Sequence, residues 1–217
     1  MSDEKPIGTP VSELDGMVAR LTAMREGDSA HSTYEAWATC YEADLVDGYG
    51  YRAHQIAASA LAAHGVSMHA RIADLGCGTG LVGAVLAENG FTHIDGFDAS
   101  ANMLAKARGK QCYNTLHEVD LTVEDGLPAA AYDAAVAVGV FGAGHIGPEH
   151  LMCFFAPVAA GGVVVLYANG IPFVQDQYQS HLAALERDGI CTLLRVEQSN
   201  YMDKIERPGW LVVARRR

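Results

Sequence analysis

The stretch "RIADLGCGTGLVG", residues 71–83, is an apolar run that ends on an acid, breaks into glycines and turns apolar again. Its glycines read in two registers. Gly76, Gly78 and Gly80 give G-x-G-x-G, whereas Gly78, Gly80 and Gly83 give G-x-G-x-x-G, the dinucleotide pattern. A strand followed at once by a glycine loop and a helix start is a ligand-holding device in an α/β sheet, because glycines let backbone approach the ligand and the helix offers free N–H groups. The pattern around the stretch fits. Strand candidates fall at 71–75, 93–97, 113–119, 132–138, 162–168, 192–198 and 210–214, with helix candidates at 81–89, 101–108, 148–156 and 176–188. Such alternation predicts right-handed crossovers and a mostly parallel, seven-stranded, Rossmann-like α/β sheet. The last two strands have no helix between them, so they are expected to pair antiparallel at an edge.

Asp74 and Asp98 give the loop its chemistry. Asp98 ends the second strand about 20 residues after the loop, where an acid grips a ribose diol, and this points to an adenosine-containing cofactor. Asp74 lies inside the end of the first strand, a place that dinucleotide sites fill with an apolar residue. A carboxylate there repels a pyrophosphate and attracts a ligand that carries an amino group and a sulfonium. The alternative role for Asp74 is to pin the loop by accepting backbone N–H bonds.

Composition narrows the rest. With 217 residues, 50% of them hydrophobic, the chain can bury one sizeable core. A formal charge of −11 argues against a nucleic-acid partner, whose binding needs clustered Lys and Arg. No apolar run approaches the roughly 18 residues of a membrane span, and the N-terminal residues do not read as a signal peptide. The 5 cysteines are dispersed without a C-x-x-C pair and the 9 histidines show no metal-ligand spacing, so no metal is expected and a cytoplasmic setting fits. Residues 1–30 are polar and read as a loose N-terminal segment, with one amphipathic stretch at 11–24. Residues 31–217 read as one domain, a helical lid over 31–66 broken at "DGYGY" (47–51), then an α/β core over 70–217.

"DLGCGTG", "GFDASANMLAKAR", "YDAAVAVGVF" and "GGVVVLYA" together resemble a class I S-adenosylmethionine-dependent methyltransferase. "YEAWATCYEADL", "GYGYRAH", "VGVFGAGHIGPEHL" and "YQSHLAALERDGI" are similar to methyltransferase-like proteins of the Williams–Beuren critical-region type. The resemblance implies that Asp74, Gly76, Gly78 and Gly80 hold the methionine part of the cofactor, with Cys77 and Thr79 supplying backbone. It implies that Asp98 takes the ribose hydroxyls, that Ala99 and Met103 flank the adenine, and that Asp120 and Leu121 meet its amino edge. Gly139 and Val140 would wall the transferred methyl. The resemblance leaves the acceptor undefined. The segment after the fourth strand lacks the Asn or Asp, prolines and aromatic common in enzymes that methylate nucleobase or amide nitrogens. The expected acceptor is therefore a small-molecule oxygen or nitrogen, with S-adenosylhomocysteine as product and the protein a monomer or homodimer.

Tyr34, Trp37 and Tyr41 recur at i, i+3 and i+7, one face of a helix. One reading is a lid, with the Tyr41 hydroxyl reaching the cofactor carboxylate and Tyr34 and Trp37, together with Phe141, touching the acceptor. The other is an aromatic stripe packed on the sheet. His145, in the loop after the fourth strand, is the candidate general base, needed only where the acceptor must lose a proton; otherwise it is a turn residue. Two alternative functions stay open: a cofactor-binding protein that performs no transfer or a different reaction, and an oxidoreductase that uses NAD through the second register.

Overall fold

Along the central strands, even- and odd-numbered side chains go to opposite faces, and both faces are covered. Ile72, Ile94, Ala134, Val136, Val163, Val165, Leu211 and Val213 enter one core cluster, while Ala73, Leu75, Phe97, Ala135, Val164, Leu166 and Val212 enter the other. This period of two on a sheet buried on both sides is why these segments read as unbroken apolar runs. The computed structural model describes Ala38 and residues 41–123, 126–141, 146–175 and 177–217. Within them lie β1 (Arg71–Leu75), β2 (His93–Asp98), β3 (Thr115–Glu118), β4 (Tyr132–Val138), β5 (Val158–Asn169), β6 (Cys191–Asn200) and β7 (Pro208–Arg216). They form one sheet in the order β3-β2-β1-β4-β5-β7-β6. Pairings from β3 to β5 are parallel, and β7 runs antiparallel to both β5 and β6. The expected antiparallel pairing occurs at that end of the sheet, with the reversed strand β7 second from the edge and β6 outermost.

The strand order reverses between β1 and β4, which places a crevice beyond their carboxyl ends. One face carries α1 (Ala53–Ala63), packed on β4, β5 and β7, and beside it α2 (Leu81–Glu88). α3 (Ala101–Gly109) packs on β2 and β3. It is capped by Ser100, whose side chain accepts from the Met103 N–H, and ends on Lys106 and Arg108, which suit the negative end of its dipole. On the other face, α4 (Met152–Phe155), α5 (Gly170–Gln175) and α6 (Tyr178–Arg187) bury Phe154, Phe155, Phe173 and Tyr178.

One expected helix is in two pieces, and another starts two residues late. Residues 148–156 form a 3-10 turn, Pro148–His150, and then the short α4. The 176–188 helix starts at Tyr178 after Gln177, whose φ of 59° is left-handed and separates it from α5. Before α1, residues Ala43–Gly48 wind as a π-helix, and the break expected at 47–51 falls at its end. Among the described residues no helix is long and apolar enough to cross a membrane. Tyr34, Trp37, His145 and the amphipathic stretch at 11–24 lie outside the described residues.

Candidate functional site

The loop from β1 to α2 turns on three left-handed residues, Gly76 (φ 78°), Gly78 (φ 54°) and Gly80 (φ 90°), a conformation that strains any residue with a Cβ. A Cβ on Gly76 would stand 2.0 Å from a Val140 methyl, so the loops after β1 and β4 touch there. Gly78 instead faces open space, with nothing within 4 Å of its Cβ position. Gly80 leads into α2, whose N-terminus has no side-chain cap, leaving backbone donors at the mouth of the crevice.

Asp98, at the end of β2, ties this loop to the next. Its Oδ2 accepts from the Gly78 N–H at 2.8 Å, and its Oδ1 accepts from the Ser100 N–H at 2.9 Å. The Gly76 and Cys77 N–H groups also bond the Phe97 carbonyl, at 2.7 and 3.0 Å. The carboxylate that sequence spacing assigns to a ribose therefore also fixes the glycine loop.

Asp74 is fully buried, and the Tyr113 hydroxyl donates to its Oδ2 at 2.7 Å. Burial pushes its carboxyl up to about 7; the Tyr113 hydrogen bond opposes this and the Asp98 carboxylate adds to it. Asp74 Oδ1 and Thr79 Oγ1 are buried without a hydrogen-bond partner among the described residues. Cys77 is buried, and burial raises its thiol well above the ordinary value, so it contributes backbone and bulk and no nucleophile.

Tyr113 is the residue that the sequence reading missed. It reads as the first residue of the third strand, but β3 begins at Thr115, which frees Tyr113 to turn under the glycine loop. Its ring lies against three glycines: Cβ atoms on Gly83, Gly96 and Gly80 would meet it at 2.3, 3.0 and 3.1 Å. Gly83, the residue that completes the dinucleotide register, is thus explained by a tyrosine ring. The available signal was Gly96, a glycine inside a strand, which marks close approach by another group.

The segment before α1 closes one side. Lys110, just past α3, bonds both carboxylate oxygens of Glu42, at 2.9 and 3.0 Å. At the other end Tyr51 bridges to Met202, the Arg52 N–H bonds the Tyr201 carbonyl at 2.8 Å, and Arg52 pairs with Asp203 at 2.9 Å. Tyr41 is held between; burial raises its hydroxyl's pKa, and the nearby Asp98 and Tyr201 add to the shift, so it remains a donor. A Cβ on Gly139 would stand 3.5 Å from the Tyr51 hydroxyl, which brings Tyr51 to the end of β4. His54 stacks on Tyr51 with ring centroids 5.5 Å apart.

The remaining expected residues divide. Ala99 is exposed beside Asp98, and Met103 is buried in α3. Asp120 accepts from the Thr122 N–H at 2.9 Å and its hydroxyl at 2.6 Å, while Leu121 is buried. Both line a cavity of about 220 Å³ against Met152 and Cys153. Phe141 follows Val140. It is 1% exposed and packs on Phe154 and Tyr178, with ring centroids 4.8 and 5.8 Å away.

Comparison with known proteins agrees with this geometry. Residues 73–162 match the family model of a methyltransferase domain. Methyltransferase-like protein 27 of Homo sapiens is 35% identical over 136 residues, which cover 61% of this chain and 55% of that protein. The chain thus matches about half the length of that relative. Magnesium protoporphyrin IX methyltransferase from Synechocystis PCC 6803, solved with bound SAM, superposes with a TM-score of 0.59 at 17% identity, over 76% of this chain and 78% of that one. A solved (4+2)-cyclase, SpnF, superposes with a TM-score of 0.68 at 14% identity, over 89% and 98%.

Proposed function

We propose that this chain is a class I S-adenosylmethionine-dependent methyltransferase that moves a methyl group from S-adenosylmethionine to an oxygen or nitrogen of a small molecule and releases S-adenosylhomocysteine, a reading supported by the methyltransferase-domain match and the relatives above. The observation that carries the cofactor reading is the buried Asp74 at the foot of the glycine loop. The residues fit the group. Among the described residues, Asp74 Oδ1 and Thr79 Oγ1 are buried polar atoms without hydrogen-bond partners, and Gly78 leaves open space where a side chain would stand. An amino group near Asp74 would favour its charged form and offset the cost of burying it.

When bound, S-adenosylmethionine would supply a methyl carbon activated by its sulfonium for in-line transfer to the acceptor, with Asp74, Asp98 and the glycine loop the residues that would hold it. The chain's own work is positioning, which supplies much of the rate in such a step. Asp98 would orient the ribose hydroxyls while holding Gly78, and Gly139 with Val140 would border the reacting carbon. Tyr41 and Tyr51, both at the mouth of the crevice, would help keep water from it. His145 stands as the candidate base for an acceptor that must lose a proton. The acidic charge supports a small-molecule acceptor over a nucleic acid, and the dispersed cysteines support a cytoplasmic setting.

Calorimetry and a turnover assay test the reading together. S-adenosylmethionine and S-adenosylhomocysteine should bind with micromolar affinity, about −7 to −9 kcal/mol, and NAD negligibly. Tight NAD binding with no response to S-adenosylhomocysteine would overturn the cofactor assignment. Cofactor binding with no release of S-adenosylhomocysteine in the presence of acceptor candidates would leave a binding protein or another reaction.

A further inference from the structure

We propose that Tyr113 is a positioning residue for Asp74: its hydroxyl donates to the buried carboxylate, fixes it at the foot of the glycine loop, and so sets cofactor affinity. The inference rests on the cofactor reading above and assigns the residue on which Asp74 depends. Its basis is geometric. Asp74 is 0% exposed and its hydrogen-bonding side-chain partner is the Tyr113 hydroxyl, at 2.7 Å. A tyrosine ring can reach that depth because three elements yield space to it: Gly80 in the loop, Gly83 in the first turn of α2 and Gly96 within β2.

The other groups around Asp74 do less to keep it charged. The Asp98 carboxylate, from β2, works against its ionisation, and the Gly83 N–H of α2 contributes less than Tyr113 does. The thiols of Cys77, in the loop, and Cys112, next to Tyr113, are both raised by burial and stay neutral. Lys110 lies farther out, where its ammonium is engaged with Glu42. Asp74 thus depends on the tyrosine hydroxyl, since a buried carboxylate stripped of a donor takes up a proton more readily. A neutral Asp74 offers a cationic ligand far less.

Tyr113→Phe tests this, because the ring still fills the glycine-lined slot and only the hydroxyl goes. Gly83→Ala reaches the same end by another route: its new methyl would stand 2.3 Å from the Tyr113 ring and displace it, while alanine suits a helix better than glycine. Calorimetry with S-adenosylhomocysteine from about pH 6 to 9 should show both variants binding about tenfold more weakly near pH 7, the size of one lost hydrogen bond to a charged group. Their affinity should also begin to fall at a higher pH than in the wild type. In parallel, the 13C carboxyl signal of Asp74 in the ligand-free protein should titrate at higher pH in Tyr113→Phe. Wild-type affinity and pH profile in Tyr113→Phe, or an unmoved Asp74 titration, would overturn the proposal. If the wild type itself ignores S-adenosylhomocysteine, the cofactor reading fails, and the Asp74 titration still decides the role of Tyr113.

Discussion

At the end of β2 the Asp98 carboxylate already accepts from two backbone N–H groups, Gly78 and Ser100, so a ribose would share it with the loop it orders. A carboxylate has about four lone-pair directions, so these two N–H bonds do not by themselves exhaust it. Removing the side chain therefore does two things: it deletes charge-assisted bonds to the diol and releases Gly78 from its set orientation. Asp98→Ala should weaken S-adenosylhomocysteine binding by about 1.5–3 kcal/mol. Asp98→Asn, which keeps one acceptor oxygen, should lose less. Turnover at saturating cofactor should change far less than affinity, because Asp98 would not face the reacting carbon. Affinity in Asp98→Ala equal to the wild type would reduce the acid to a loop tie.

Between elements, the segment over residues 41–52 is held at two ends that differ in kind. Toward β6 and β7 it is fixed by backbone, through the Tyr51–Met202 bridge and the Arg52 N–H on the Tyr201 carbonyl, with the Arg52–Asp203 ion pair beside them. Toward α3 a partly exposed ion pair, Lys110 with Glu42, helps to fix it. Such a pair is worth only about 0.5–1 kcal/mol, yet it fastens the end that carries Tyr41. Lys110→Met should leave global stability nearly unchanged and speed hydrogen exchange at the amides of 43–49, with little change at 53–63, where α1 is packed on the sheet. Equal exchange in both proteins would assign the hold to the apolar packing of Leu45 and Tyr49. This contrast also explains what the sequence made legible. The seven strands and the loop chemistry of Asp74 and Asp98 could be read because continuous apolar runs and strand-end acids are local patterns. The positions of Lys110, His54 and Tyr113 could not, since each depends on which distant glycine or carboxylate the fold brings near. The helix at 148–156 was read as a single piece because an apolar period survives a short irregular turn, as between Pro148–His150 and Met152–Phe155.

Over the whole molecule, two buried groups pull stability in opposite directions as pH changes. Burial raises Asp74 from 3.8 to about 7, so between those values the native ligand-free protein binds a proton that the unfolded chain does not. Its contribution to stability therefore improves as pH falls through that window. His54 is 5% exposed with Nδ1 unpartnered among the described residues, and burial lowers its pKa from 6.5 to about 4, against the nearby Glu42 carboxylate. Here the unfolded chain takes the proton first, so stability is lost as pH falls from about 6.5 to 4. The windows overlap and the effects offset each other. Denaturant titrations of the ligand-free protein should separate them. Asp74→Asn should be more stable than wild type above about pH 7, on the order of 2 kcal/mol, with the advantage gone near pH 4. His54→Gln should instead gain on the wild type as pH drops below about 6.5. Saturating S-adenosylhomocysteine should shrink or reverse the Asp74 contribution, because a ligand that prefers the carboxylate form adds stability where Asp74 is ionised and loses it on acidification. If the stability difference between Asp74→Asn and wild type does not vary with pH, Asp74 stays ionised throughout and its charge is held by more than the tyrosine. A site that costs the empty fold stability and recovers it on binding is what the two acids and the glycine loop lead one to expect.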